Sequence, residues 1–238
     1  MRFKSTGLVG KGKWGKILQK KISKVSKLSF TANSKSEYLN KLDKLDWLFI
    51  ATPDATHYSI VNKCIKKKVN IFCEKPLTKT YNQSFKLFQK AKKNNVLLYV
   101  DEVQSFLNKK IKLKKYNYII RQKQGSGKPK DLLFRFAYHD FYFLYERLKK
   151  YKISNIKVIN IKNSLEFKIN FGNKTFFFYY NLNSEKRVHS FNATSLITKR
   201  DILSKMVKDV LNKRVDFENN KNKSLFANKL IDKIIKKI

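Results

Sequence analysis

Over residues 1–101 the apolar runs never follow one another directly, and a helix-length stretch with its apolar residues on one side separates most of them. Residues 3–9, 27–32, 46–51, 69–73 and 96–100 read as strands, and 16–24, 57–67 and 81–94 as helices, with a short helix over 36–44. This alternation leaves few folds open. A strand, a crossover helix and a parallel strand connect right-handedly, and repetition winds a parallel sheet with helices on both faces. The unbroken row Trp47, Leu48, Phe49, Ile50 has the composition of a strand buried on both sides.

Beyond Asp101 the pattern changes. Residues 116–124, 155–162, 164–171, 174–181 and 186–192 read as strands joined by short turns such as Gly172-Asn173, and 202–212 and 224–238 as helices. The chain is therefore expected to be α/β: an N-terminal doubly wound parallel sheet over 1–101, then a smaller α+β domain over 102–238 with a mostly antiparallel sheet.

Three short motifs sit where strands end. Gly10-Lys11-Gly12-Lys13-Trp14-Gly15 follows the first strand and opens the first helix. There the first glycine makes the turn, the second lets backbone approach a pyrophosphate, and the third lets helix pack on strand. The end of the second strand reads Asn33-Ser34-Lys35, with no carboxylate where a ribose-binding acid is expected. Ser34 and Lys35 suit a 2'-phosphate, so NAD and NADP both stay open. Ala51-Thr52-Pro53 and His57 follow the buried strand, at the sheet edge where ligands lie in open parallel sheets. As bare residues, Pro53 is equally a helix-initiating proline and His57 a first-turn polar residue.

Glu74-Lys75-Pro76 follows the next strand. A lysine held against a nicotinamide can relay a proton to or from a hydroxyl, because burial and the cofactor's positive ring lower its pKa. Glu74 can orient the amine and Pro76 fix the turn. In order and separation, these islands resemble the Gfo/Idh/MocA oxidoreductases, the family of glucose-fructose oxidoreductase and inositol dehydrogenase. The resemblance implies cofactor contacts from Gly10, Gly12, Lys13, Trp14, Gly15, Asn33, Ser34, Thr52, Pro53, His57, Glu74 and Lys75, with Lys75 catalytic.

More weakly, the resemblance continues past residue 101. Tyr99-Val100-Asp101 and residues 106–113 look like the linker of sugar-acting members. Residues 127–140 look like the family's third motif, in which an Asp precedes a His by four residues on one helical face. His139 matches that histidine and implies a second proton donor and acceptor. Arg135 stands at the Asp position and would clamp an anionic substrate group or mark lost activity. Arg135, His139 and Asp140 are thus the substrate-side candidates, and the closing helices complete a nearly full-length likeness with an abbreviated second domain. What this implies is hydride transfer between NAD or NADP and a secondary hydroxyl or ketone of a sugar or nucleotide sugar, by a dimer or tetramer. The rival reading is a catalytically degenerate dinucleotide-binding accessory or sensor.

A net charge of +37 would ordinarily raise nucleic acid as a partner. The excess is lysine spread along the whole chain, with seven Arg, the better fork for phosphate and guanine. It reads as coding bias and solvated faces, so no nucleic-acid partner is expected. Cys64 and Cys73 have no paired spacing and no secretory signal before them, which predicts a reduced, cytoplasmic protein with no metal site. No apolar stretch approaches the roughly 18 residues of a membrane span, so no membrane partner is expected either.

Overall fold

The structure, a computed structural model, describes residues 4–107 and 109–238. Phe3, the expected start of the first strand, and Asn108, inside the expected linker, lie outside the described residues. The chain divides into two compact units, one of Met1–Val103 with Asp201–Leu225, the other of Gln104–Arg200 with Phe226–Ile238.

In the first unit the elements run β1 (Ser5–Val9), α1 (Lys13–Ile22), β2 (Lys27–Ala32), β3 (Trp47–Ile50), α2 (Asp54–Lys66), β4 (Asn70–Cys73), α3 (Tyr81–Lys93) and β5 (Leu98–Val100). The strands form one parallel sheet in the order β2-β1-β3-β4-β5. Strand order reverses beside β1, and ligands of open α/β sheets settle outside the strand ends at such a reversal. All four residues of β3 are buried, as expected of a central strand. Across its face run stacked rings from three neighbouring strands, Phe49 to Phe72 at 4.8 Å and Phe72 to Tyr99 at 5.7 Å. α1 buries Gly15, Leu18 and Ile22, and ends on Lys20 and Lys21, where cations favour the helix dipole. The helix expected over 36–44 is only a 3-10 turn, Leu39–Lys44.

The second unit continues with β6 (Tyr116–Gln124), α4 (Tyr138–Leu148), β7 (Ile153–Asn160), β8 (Leu165–Phe171), β9 (Lys174–Asn181), β10 (Asn183–Phe191) and β11 (Thr194–Ser195). A π-type turn, Leu133–Ala137, leads into α4. The sheet order is β11-β10-β6-β9-β8-β7, antiparallel throughout except between β6 and β9. Along β8 burial alternates, with Leu165, Phe167, Ile169 and Phe171 inward. Phe167 stacks on Phe178 of β9 at 4.7 Å, and Phe141 of α4 meets Phe178 edge-on at 5.4 Å.

The last two helices are α5 (Ile202–Leu211) and α6 (Phe217–Ile235). A single cut near residue 101 would leave Asp201–Leu225 with the second unit, yet this segment folds with the first. Phe217 packs on Trp47 at 6.1 Å and Tyr99 at 5.9 Å. Asn220 hydrogen-bonds both the N–H and the carbonyl of Val100, at 2.8 Å each, satisfying the free edge of the short strand β5. α6 begins seven residues before the expected 224 because Asp216 accepts the Asn219 N–H at 2.9 Å, capping the helix, and Phe217 is anchored by the aromatic cluster.

Candidate functional site

The glycine turn is shaped by three different spatial demands. Gly10 has φ +123, and a Cβ there would lie 2.2 Å from the Ala51 carbonyl oxygen. On Gly15 a Cβ would fall 1.9 Å from the Gly10 oxygen. On Gly12 it would meet nothing within 4 Å. Two glycines are thus required by the protein's own packing, while the third faces open space and presents backbone to it.

Gly12 is also the N-cap of α1 and supplies no side-chain cap, so the first N–H groups of the helix keep their need for an acceptor. A helix start of this kind attracts anions through its dipole and its free donors. Around it lies a cavity of about 490 Å³ lined by Gly10, Lys11 and Gly12, by Asn33 to Ser36 after β2, and by Ala51, Thr52 and Pro53 after β3. β2 and β3 flank β1, which is why three loops distant in sequence meet here. Backbone donors with room before them, and polar side chains after β2, fit the pyrophosphate and ribose of a dinucleotide. Lys35 lines the wall where an acid is usual.

Thr52 is tied to its own loop and to the next. Its hydroxyl accepts from the Thr56 hydroxyl at 2.7 Å. His57, buried on α2, sets Nε2 2.9 Å from the Thr52 carbonyl and Nδ1 2.8 Å from the Pro76 carbonyl. Burial lowers the His57 pKa, and the Pro76 and Thr52 carbonyls pull the other way without overcoming it. A neutral imidazole donates one proton only, so one carbonyl is bonded and the other merely faced. His57 therefore sits between the loop after β3 and the loop after β4, hydrogen-bonded to one and packed against the other.

Glu74, Lys75 and Pro76 leave the end of β4, and the Lys75–Pro76 peptide is cis. Glu74 is buried and accepts from the Trp14 indole N–H, which ties the glycine turn to β4. It also hydrogen-bonds Asp101, the residue after β5, itself buried. Burial first, and then the Asp101 charge, pushes the Glu74 pKa well above the carboxylate range. Burial likewise raises Asp101, against the Val103 N–H and the charge of Lys75. Lys75 is half-buried and acts electrostatically on both acids. Next to them Glu102 accepts from the Tyr99 hydroxyl at 2.8 Å and pairs with Lys223 at 2.7 Å.

In the second unit, Arg135, His139 and Asp140 have distinct surroundings. The Arg135 guanidinium donates to the Ser126 carbonyl at 2.5 Å, holding the Gly125–Gly127 loop. His139 is half-buried in the first turn of α4. Asp140 is fully buried, with Oδ1 2.7 Å from His189 Nε2 and 3.6 Å from Arg121 Nη1. Burial raises its pKa, but His189 and then Arg121 outweigh that and hold it below the usual range. Lys75 belongs to the first unit and His139 to the second.

Gly10, Gly12, Asn33, Ser34, Thr52 and Pro53 thus border one cavity, Trp14 and Glu74 are bonded, His57 sits between two loops, and Lys13 and Gly15 open α1. Sequence reasoning missed Asp101 as the partner of Glu74. The signal was present: both acids directly follow apolar strands that a doubly wound sheet sets side by side. It also missed His189 and Arg121 beside Asp140, for which nothing local speaks.

Set against known proteins, residues 9–102 match the oxidoreductase family, NAD-binding Rossmann fold, of the Gfo/Idh/MocA type. An uncharacterized oxidoreductase of Streptococcus pneumoniae is 32% identical over 66 residues, 28% of this chain and 18% of that protein. The uncharacterized oxidoreductase YrbE of Bacillus subtilis is 26% identical over 116 residues, 40% of this chain and 34% of that protein. The matched stretches therefore span about a fifth to a third of these relatives. Among solved structures, UDP-N-acetylglucosamine 3-dehydrogenase GnnA from Acidithiobacillus ferrooxidans superposes with a TM-score of 0.80 at 14% identity, covering 97% of each chain. The WlbA dehydrogenase from Thermus thermophilus, in complex with NAD and alpha-ketoglutarate, gives 0.79 at 13% identity, covering 96% of this chain and 94% of that one. At such identities these two structures establish a shared fold. Among the described residues no helix is long and apolar enough to cross a membrane.

Proposed function

We propose, from the match of residues 9–102 to the NAD-binding Rossmann fold of the Gfo/Idh/MocA oxidoreductases, that the chain is an NAD- or NADP-dependent dehydrogenase acting on a secondary hydroxyl or ketone of a sugar or nucleotide sugar. The observation that carries this reading is the open space before Gly12 at the start of α1, continuous with the cavity reaching Ser34, Thr52 and Pro53. A nicotinamide dinucleotide bound there supplies a two-electron hydride acceptor or donor. The backbone at Gly12 and the first turn of α1 hold the pyrophosphate, and Asn33, Ser34 and Lys35 hold the ribose end. His57 contributes by keeping the loops after β3 and β4 in register. Lys75 takes the proton of the substrate hydroxyl in oxidation and returns it in reduction. His139 keeps an assisting role that rests on its motif alone.

The test is titration of the protein with NADH and NADPH followed by fluorescence, then turnover on a panel of free and nucleotide-linked sugars. Gly12→Val is expected to abolish dinucleotide binding in a folded protein, because its side chain fills space the protein leaves empty. Unchanged affinity would overturn the cofactor site. If Lys35 reads a 2'-phosphate, Lys35→Asp weakens NADPH more than NADH; equal effects make it a bystander. A second reading, a dinucleotide-binding protein without turnover, is favoured by Arg135, which replaces the family's carboxylate and is engaged with its own loop. Cofactor binding with no turnover on the whole panel would select it.

A further inference from the structure

β4 and β5 are parallel neighbours in register, with Cys73 opposite Val100, so the next residues, Glu74 and Asp101, emerge side by side. The Asp101 N–H donates to the Cys73 carbonyl at 2.9 Å and the Glu74 N–H to the Ile50 carbonyl at 2.8 Å, which fixes both backbones. Both side chains are cut off from water, at 7% and 1% exposure, and they hydrogen-bond each other. An ionised carboxylate only accepts, so a carboxyl–carboxyl hydrogen bond requires a proton on one of them. Each acid also takes one N–H, Glu74 from Trp14 and Asp101 from Val103 at 2.9 Å. These donors stabilise one negative charge between the two acids; two such charges, buried and adjacent, would repel.

The surroundings make a second charge still harder to hold. Glu102, next in sequence, adds to the repulsion on Asp101, and the Lys223 ammonium is paired with Glu102 at 2.7 Å. Among the described residues β4 contributes the Cys73 thiol, α1 the neutral Trp14 indole, and β5 the Tyr99 phenol, which hydrogen-bonds Glu102; Asp209 of α5 acts on that phenol. Lys75 is the cation acting on both members of the pair.

We propose that Glu74 and Asp101 share a single proton and form a monoanionic seat for the Lys75 ammonium, positioning it and setting the charge against which it exchanges its proton. Both acids are positioning residues, and the idea rests on the dehydrogenase reading only for the use made of Lys75. One charge stabilises the ammonium while leaving it able to deprotonate; two would hold the proton more tightly, and none would release it early. The pair titrates as a unit, so the shared proton belongs to both.

The test needs no substrate. In protein labelled with 13C at Glu and Asp carboxyls, infrared difference spectra should show one buried carboxylic acid persisting at neutral pH, lost in both Glu74→Gln and Asp101→Asn. An amide can donate to the remaining carboxylate as the acid did, so each single variant keeps one negative charge. Each should therefore leave the pH dependence of Lys75 acylation, read by peptide mass spectrometry, near that of wild type. The double variant carries no charge and should move that profile to lower pH by about one to three pH units, the usual reach of a neighbouring charge. Absence of the protonated acid in wild type overturns the proposal. So does an Asp101→Asn profile displaced as far as that of the double variant. Should the double variant not fold, the wild-type spectrum and the single variants decide alone. A protonated pair in a protein without turnover would sink the dehydrogenase reading and leave the pair standing; turnover without a protonated acid would do the reverse.

Discussion

Asp101 in the first unit and Asp140 in the second are each 1% exposed, yet their surroundings drive them in opposite directions. Asp140 lies between an imidazole and a guanidinium, which hold it ionised and below the usual carboxylate range. Asp101 has a second carboxyl, Glu74, acting on it, with Lys75 half-buried and acting on both, and both acids are raised. Burial penalises the charge in both places. What differs is the charge supplied by the neighbours, and this separates a site that holds structure from one able to hold a mobile proton.

The comparison would break most visibly at Lys75. Lys75→Met should lower turnover by on the order of 10²-fold or more, the usual scale for a lost proton-transfer group, with cofactor binding and thermal midpoint nearly kept. Steady-state rates in both directions check this, and a variant as fast as wild type would remove Lys75 from the chemistry. In the second unit the same kind of change should register as stability. Asp140→Asn leaves Arg121 and His189 without their anion, and should cost about 3 to 5 kcal/mol in urea unfolding, the scale for removing one partner of a buried pair. A loss below 1 kcal/mol would mean that Asp140 is not the keystone of its cluster.

The finest discrimination lies in the pH dependence of unfolding. Asp140 has a depressed folded pKa, so the stability it confers is present above the unfolded carboxylate value of about 3.9 and is lost as pH falls through its lower native pKa. The pair in the first unit has raised values, so its contribution is present below about 4 and is lost as pH rises through them. The stability gap between wild type and Asp140→Asn should therefore close in acid. Relative to the Glu74→Gln/Asp101→Asn variant, wild type should instead lose ground as pH rises from about 4. Gaps moving in the same direction would refute the contrast between the units.

Much of the first unit could be read in the sequence. The strands at 27–32 and 47–50 and the helix at 81–93 follow from local periodicity, and the glycine turn and Glu74-Lys75-Pro76 each lie within a few residues. The second sheet was also legible, because Leu165 to Phe171 alternates cleanly and Phe176 to Tyr180 is an unbroken row of strand-favouring aromatic residues. The parallel pairing of β6 with β9 was not, since periodicity gives a strand's faces and says nothing of its neighbour's direction. The placement of residues 201–225 was equally hidden: it depends on Phe217 meeting Trp47 and Tyr99, and on Asn220 meeting Val100, across more than a hundred residues of chain.

By itself the sequence determined which residue types stand at the strand ends, because turns, caps and alternation are short-range properties of the chain. It supplied Gly10, Gly12 and Gly15 in order, Lys75 between an acid and a proline, and Asp101 at the close of an apolar run. Only the tertiary structure decided that Gly10 and Gly15 are filled by the protein's own backbone while Gly12 is open, since that depends on where the Ala51 carbonyl and the Gly10 carbonyl come to rest. It alone also set Glu74 beside Asp101 and Asp140 beside His189. The charge of a buried acid is fixed by what surrounds it in three dimensions, and those neighbours arrive from strands and helices that no local pattern links.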